Sequence, residues 1–326
     1  MKKLNFSAFA VLTIALIFSS CEKEPTVVTF PSQTTPLVTS QLHGIFEENI
    51  KNETEKWNIV PDSTYQTLVT SNNYFVRFNH NTFTYSNGQA IVGDFTVEIV
   101  DVLTKKDMLK LNRPTFTNDG ELLVSGGVIY LNAHQNGQQL SINNNAPVMV
   151  SIPTDEGTPM KYFNGIVAGN NDFGWDESLE DEVTIFTPND TSWIGNNNSL
   201  SYNFTMDSFG WINCDFFYNS TTPLTGVNVI LPEKHNGSNT YVFIYYSDIN
   251  SVANMDDYNF DSNFDLGTGY STPVGLDVTF VTISEVNDTF YYDLTNTAII
   301  DNHVEEIDEL TIASESQIQN ILNNLP

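Results

Sequence analysis

The stretch MDDYNFDSNFDLGTG, residues 255–269, holds the densest set of potential metal ligands in the chain. Asp257, Asn259, Asp261, Asn263 and Asp265 recur at every second position and offer the oxygen donors that a hard cation such as Ca2+ prefers. The stretch begins like an EF-hand loop, but Ser262 stands where the turn glycine belongs and Thr268 where the bidentate Glu belongs. On a regular strand these side chains would share one face about 6.6–6.8 Å apart, too far to enclose one ion. Calcium binding therefore needs a curled loop. Without one, Tyr258, Phe260 and Phe264 make the segment an amphipathic edge.

Aromatic residues suggest a second chemistry, stacking on sugar rings. Four tryptophans (Trp57, Trp175, Trp193, Trp211) and 14 tyrosines are available. Trp175 and Trp193 lie in Gly- and Asn-rich surroundings and are the expected exposed platforms, whereas Trp211 lies in an alternating strand and is expected in a core. Five histidines, His43, His80, His134, His235 and His303, form no His-Glu-x-x-His or His-x-His pattern, so no zinc site is signalled. No nucleophile elbow, P-loop or dinucleotide fingerprint is present. With 40 acidic residues, pairs of carboxylates arise by chance and say nothing about glycoside hydrolysis. A hydrolase would need a site assembled from distant residues, which sequence order does not reveal.

The two cysteines are Cys21 and Cys214. Two cysteines make no disulfide framework. Residues 1–20 run from Met1-Lys2-Lys3 through an apolar stretch, Phe6 to Phe18, to Ser19-Ser20. This is the order of a secretory signal, and the apolar run is too short for a membrane-spanning helix of about 20 residues. Small residues directly before Cys21 resemble the lipobox of bacterial lipoproteins, with Phe18 where Leu is usual; relaxed forms of this kind resemble those of the Bacteroidota. The resemblance implies cleavage before Cys21, diacylglyceryl transfer to its thiol and acylation of the new amino terminus. Two or more acyl chains anchor a protein stably where one does not. The competing reading is an ordinary signal peptide with Cys21 incidental. Glu22-Lys23-Glu24 resembles the acidic export signal of Bacteroidota lipoproteins, which implies an outer-membrane protein facing outward.

The formal net charge is −28, and removal of Lys2 and Lys3 with the signal makes it −30. With only 12 scattered Lys and Arg, the chain lacks the basic face needed for nucleic acid or an anionic membrane. Solubility and colloidal repulsion explain the acidity. Hydrophobic residues at 40% and aromatics at 12% supply packed cores, so this is not a disordered acidic chain.

Residues 21–40, rich in Pro, Thr and Ser, are expected to tether the body at a span of about 25 Å. Leu42, Ile45, Phe46, Asn49 and Ile50 fall on one face of a short helix over 41–52. From residue 74 the pattern turns to period two. Tyr74, Val76 and Phe78 alternate, Asn87-Gly88 and Asn136-Gly137 are hairpin turns, and Gly126-Gly127 splits two apolar runs. Strand-like runs continue through LSYNFTM, WINCDFF, YVFIYYS and DVTFVTIS. Their spacing predicts an all-β chain of two tandem antiparallel β-sandwich domains, at 41–165 and 166–298. The Gly-, Asn- and acid-rich stretch around 165–182 is taken as their boundary, and 299–326 as an acidic linker ending in a helix. Ser314 and Gln317 have capping-box spacing, with Ile318, Ile321, Leu322 and Leu325 on one face.

DVLTKKDMLKLNRPTFTNDGELLVSGGVIYLNA, followed by GQQLSI and VSIPT, resembles an envelope-lipoprotein module of Bacteroidota that is similar to the β-sandwich of ankyrins and netrin receptors. GWINCDFF resembles the matching segment of those lipoproteins' second domain. The resemblance implies fold and family and transfers no catalytic residue. It leaves Cys214 as a small buried hydrophobe. The expected function is a non-catalytic, lipid-anchored surface module for binding, adhesion or scaffolding, with another envelope protein or a glycan as partner. Glycan binding at Trp175 and Trp193 is the alternative. No cofactor is expected beyond the calcium reading.

Overall fold

In the computed structural model, residues 40–61, 65–167, 173–186, 200–255, 257–259, 263–265 and 271–325 are described. Residues 1–39, which hold the expected signal, Cys21 and nearly all of the tether, lie outside them. The chain is all-β with antiparallel sheets and a short C-terminal helix, as the period-two pattern predicts. Tyr74, Val76 and Phe78 are buried in sequence-alternating order, with Phe75 and Arg77 only half-covered between them. Asn136 and Gly137 both take positive φ, 52° and 79°, as a two-residue hairpin turn requires.

The first sandwich pairs two sheets. One runs in the order Glu55–Ile59, Phe95–Val102, Leu123–Gln135, Gly210–Phe217, Lys161–Val167, Phe173–Glu177. The other runs Thr184–Phe186, Leu200–Met206, Val148–Thr154, Phe75–Phe78, Gln66–Val69. Their facing side chains, among them Val97, Ile99, Ile129, Leu131, Val150 and Phe204, form one buried cluster. The second sandwich sets the sheet Val252–Asn254, Thr240–Tyr246, Asp277–Val286, Thr289–Ala298, Thr311–Ala313 against a smaller one. In that smaller sheet His303–Glu306 pairs in parallel with Val227–Ile230, an exception to the antiparallel pattern. Val229, Val242, Ile244, Phe280 and Ile307 are at its core.

A third core joins the sandwiches. It takes Val100, Val102, Leu123, Phe163, Trp175 and Trp211 from the first, and Phe243, Tyr245, Val281 and Ile283 from the second. Three helices complete it: α1 (Ser40–Glu53), α2 (Lys105–Lys110) and α3 (Glu315–Asn324). Helix α1 buries the predicted face, Leu42, Ile45, Phe46 and Asn49, and the three apolar side chains each contribute roughly 2 kcal/mol. The capping box of Ser314 and Gln317 starts α3, which buries Ile318 and Leu322 in the same core. Arg113 lies between the rings of Phe173 and Trp211, 4.4 Å from each centroid. It donates to the Leu111 and Asn112 carbonyls, and burial lowers its pKa to about 10.

Two expected boundaries are corrected. Lys161–Val167 runs straight through residue 165 and pairs with Phe173–Glu177 on one side and Gly210–Phe217 on the other. Val148–Thr154 likewise pairs with Leu200–Met206, so the first sandwich extends to Phe217. The glycines that suggested a linker instead permit close packing. A Cβ at Gly165 would lie 2.7 Å from both Phe173 Cζ and Trp211 Cβ. The segment 299–313 is not a linker either: it supplies two strands, and Ile299, Ile307 and Leu310 are buried. Gly126-Gly127 also fails to divide two strands; Leu123–Gln135 is one strand opposite an irregularity between Asn213 and Asp215.

The seam is stitched by the loop before Val252. The Asn250 side chain donates to the Leu103 and Ser125 carbonyls at 3.0 and 2.8 Å and accepts from the Lys105 amide at 2.7 Å. The Ser125 amide donates to the Asn250 carbonyl, and Ser251 Oγ to that of Leu123. With this seam and a shared core, both sandwiches should unfold in one calorimetric transition. Asn250→Ala should destabilise the protein by about 1–3 kcal/mol, since it leaves part-buried polar groups of the seam unpaired. Two separated transitions in the wild type would contradict the shared core.

Candidate functional site

A cleft of about 750 Å3 opens along this seam. Four places in the fold build it: the turn with Asn72 and Asn73, the start of the Leu123–Gln135 strand at Val124, Ser125 and Gly126, the segment Pro153 to Glu156 with Met160, and the loop Asp248 to Asn250. Tyr202, Phe216 and Tyr218 add rings, and Asn219 stands exposed at its edge.

Each wall is fixed by its own chemistry. The Asn72–Asn73 turn is held by Asp101, which accepts from the Asn72 amide at 2.9 Å and from the Thr70 hydroxyl. Asn73 takes φ 62°, a left-handed conformation that Asn tolerates better than most residues. Tyr202 donates its hydroxyl to the Glu156 carbonyl at 2.8 Å, tying the Pro153–Glu156 corner down. Gly126 has no side chain because a Cβ there would meet Met160 Cε at 2.8 Å and Tyr202 Cε2 at 3.0 Å. The wall groups free to meet a ligand are the Asn73 and Asn219 amides and the carboxylates of Asp155, Glu156 and Asp248, none with a side-chain hydrogen bond among the described residues. No Lys, Arg or His lines the cleft among the described residues.

Behind the floor lies a buried polar chain. Ser125 Oγ donates to Asn213 Oδ1 at 3.0 Å, and Asn213 Nδ2 donates to Asp215 Oδ2. Asp215 is fully buried, and its Oδ1 has no donor in hydrogen-bonding geometry. Burial raises its pKa to about 7 against the opposing pull of Ser125, Asn213 and the Gly126 amide. Neighbouring Cys214 is buried, and burial and then Asp215 push its thiol pKa well up, which makes it inert as a nucleophile. Its expected role as a small core residue holds.

The residues singled out from sequence fall elsewhere. Trp175 is no exposed platform: it is fully buried in the central core, donates Nε1 to the Pro114 carbonyl at 2.6 Å and meets Phe173 edge-on. Trp193 and Asp261 lie outside the described residues. Asp257–Asn259 and Asn263–Asp265 form a hairpin whose register pairs Asp257 with Asp265 and Asn259 with Asn263. Among the described residues, no three His, Cys, Asp or Glu side chains converge on a shared ion position. His235 Nδ1 lies 2.7 Å from Ser284 Oγ, but both are sealed in the second sandwich, and burial lowers the His235 pKa to about 4. This pair ties the loop between Ile230 and Thr240 to the strand Asp277–Val286 and does not face the cleft. The cleft itself escapes local pattern reading, because its walls come from segments up to about 180 residues apart. The one local signal was Gly126-Gly127 inside a strand, which marks a close approach of other groups.

Compared with known protein families and with curated proteins, the chain shows no match. Among the described residues no helix is long and apolar enough to cross a membrane.

Proposed function

We propose that this chain is a lipid-anchored, non-catalytic binding protein of the cell envelope, held on the outward face of the outer membrane through acylated Cys21. The N-terminal order of charge, apolar run and small residues before a cysteine supports the anchor. The similarity to Bacteroidota envelope lipoproteins supports the address. The cleft carries the binding reading. Its reachable groups are amides, carboxylates and ring faces on walls already fixed by internal hydrogen bonds, so a ligand meets a formed site at little ordering cost. A body fused through a central core suits a module that must present that cleft in one geometry at the end of a tether. The resident partner in this reading is a glycan or another envelope protein, and the acidic surface keeps nucleic acid away.

Metabolic labelling with an alkyne fatty acid tests the anchor. The wild type should incorporate label and sediment with membranes, and Cys21→Ala should lose both. Unchanged membrane association of Cys21→Ala would overturn lipid anchoring.

A further inference from the structure

We infer that the seam cleft takes an uncharged carbohydrate segment, an assignment that rests on the cleft being the ligand site of a binding protein. Three features of the lining converge on this class. The first is amphipathic division: Leu103, Pro153, Met160, Ile249 and the rings of Phe216 and Tyr218 supply apolar surface, while Asn73, Asn219, Asp155, Glu156 and Asp248 supply polar groups. A pyranose has the same division, apolar C–H faces edged by hydroxyls, and aromatic rings meet such faces with their own apolar faces. Phe216 and Tyr218, two residues apart, both line the cleft and are only half-buried.

The second feature is the kind of polar group left unspent. A side-chain amide both donates and accepts, and a carboxylate accepts twice, which matches adjacent hydroxyls that are each donor and acceptor. The third is charge. Among the described residues no cation lines the cleft, and Lys105, which lies near Asp248, is already spent on the Tyr246 and Ser247 carbonyls, so uronate, sulfate or phosphate groups would meet three carboxylates. The carboxylates do not themselves argue for a cationic ligand, because a chain with 40 acidic residues places some on any surface. Nor do they converge as ligands of one metal ion. The volume, about 750 Å3, lies in the range of sites that enclose a short oligosaccharide-sized ligand.

The test uses the lipidated full chain in detergent micelles, first on a glycan array and then by titration calorimetry with the best neutral oligosaccharide. Neutral glycans should bind, with sulfated or uronate-bearing counterparts at least about tenfold weaker. Asn73→Gly, which keeps the left-handed backbone, and Asn219→Ala should each weaken binding about tenfold, the cost of one hydrogen bond. Asn219→Trp, which fills the mouth, should abolish it, and all three variants should keep the wild-type melting temperature. Equal binding of anionic glycans, or full affinity in Asn219→Trp, would overturn the assignment. Binding of a Lys- and Arg-rich peptide instead, lost in Asn219→Trp, would overturn the carbohydrate class and leave the binding-protein reading intact. A cleft in which neither glycan nor basic peptide binds would overturn both.

Discussion

Gly127→Ala will lower the melting temperature by roughly 10 °C, although it adds a single methyl group. Gly127 has φ +140°, where L side chains are rarely found. A Cβ there would collide with the Tyr74 hydroxyl and approach Ile152 Cγ2 to 3.1 Å. Tyr74 cannot yield cheaply. It is fully buried, donates to the Val102 carbonyl at 2.9 Å, and its amide donates to Thr70 Oγ1 at 3.1 Å. Displacing the ring breaks the bond to Val102 and disturbs the turn that carries Asn72 and Asn73. Overpacking, backbone strain and one broken buried hydrogen bond each cost about 1–3 kcal/mol, and together they reach roughly 3–6 kcal/mol. Gly137→Ala is the control. Its φ is +79°, with nothing within 4 Å of the added Cβ, so only about 1 kcal/mol of backbone cost remains. Equal losses in the two variants, measured by differential scanning calorimetry, would show that the Tyr74 collision is not the cause.

That glycine also marks the limit of what local pattern specifies. Alternation made the strands legible, because a half-buried strand must place apolar residues at every second position. The faces of α1 and α3 were legible for the corresponding reason at a period of 3.6. Strand order was not. Nothing local tells Lys161–Val167 to pair with Gly210–Phe217 across almost fifty residues. Glycine is locally ambiguous, since the missing side chain serves a flexible link and a tight contact equally well. Gly126-Gly127 suggests a split between two apolar runs and Gly165 a linker, but both are points where rings press on the backbone. Trp175 was misplaced by the same signal: its Gly- and Asn-rich neighbours suggested a loop, while Gly165 is absent of side chain so that the tryptophan and Phe173 can pack against it. The cleft was invisible because it arises where two sandwiches meet, and that meeting depends on surfaces outside each strand's own alternation.

Asp215→Asn should invert the usual penalty of losing a native carboxylate, stabilising the protein at pH 8 and leaving it nearly unchanged at pH 4. The sign follows from the direction of the shift. Burial raises the folded-state pKa of Asp215 from 3.8 to about 7, so between those values the folded state holds a proton that the unfolded state has lost. Stability therefore falls as pH rises through this window. Below pH 3.8 the group is neutral in both states and costs nothing; above 7 it is a buried anion. The full span corresponds to roughly 4 kcal/mol. Asn keeps an oxygen to accept from Asn213 Nδ2 and carries no charge, so the variant escapes the fall. His235 works the other way. Its pKa is lowered to about 4 by burial and then Lys234, so its contribution is lost as pH drops from 6.5 toward 4. The two opposed slopes flatten the wild-type profile on the acid side. Removing Asp215 should expose the rising His235 slope below pH 6.5, and the variant-minus-wild-type difference should grow steadily from pH 4 to 7. Urea denaturation at unit pH steps measures that difference directly. A difference that stays constant across the window would mean that Asp215 is ionised throughout, held by groups that outweigh its burial, and that the floor beneath the cleft carries a permanent charge.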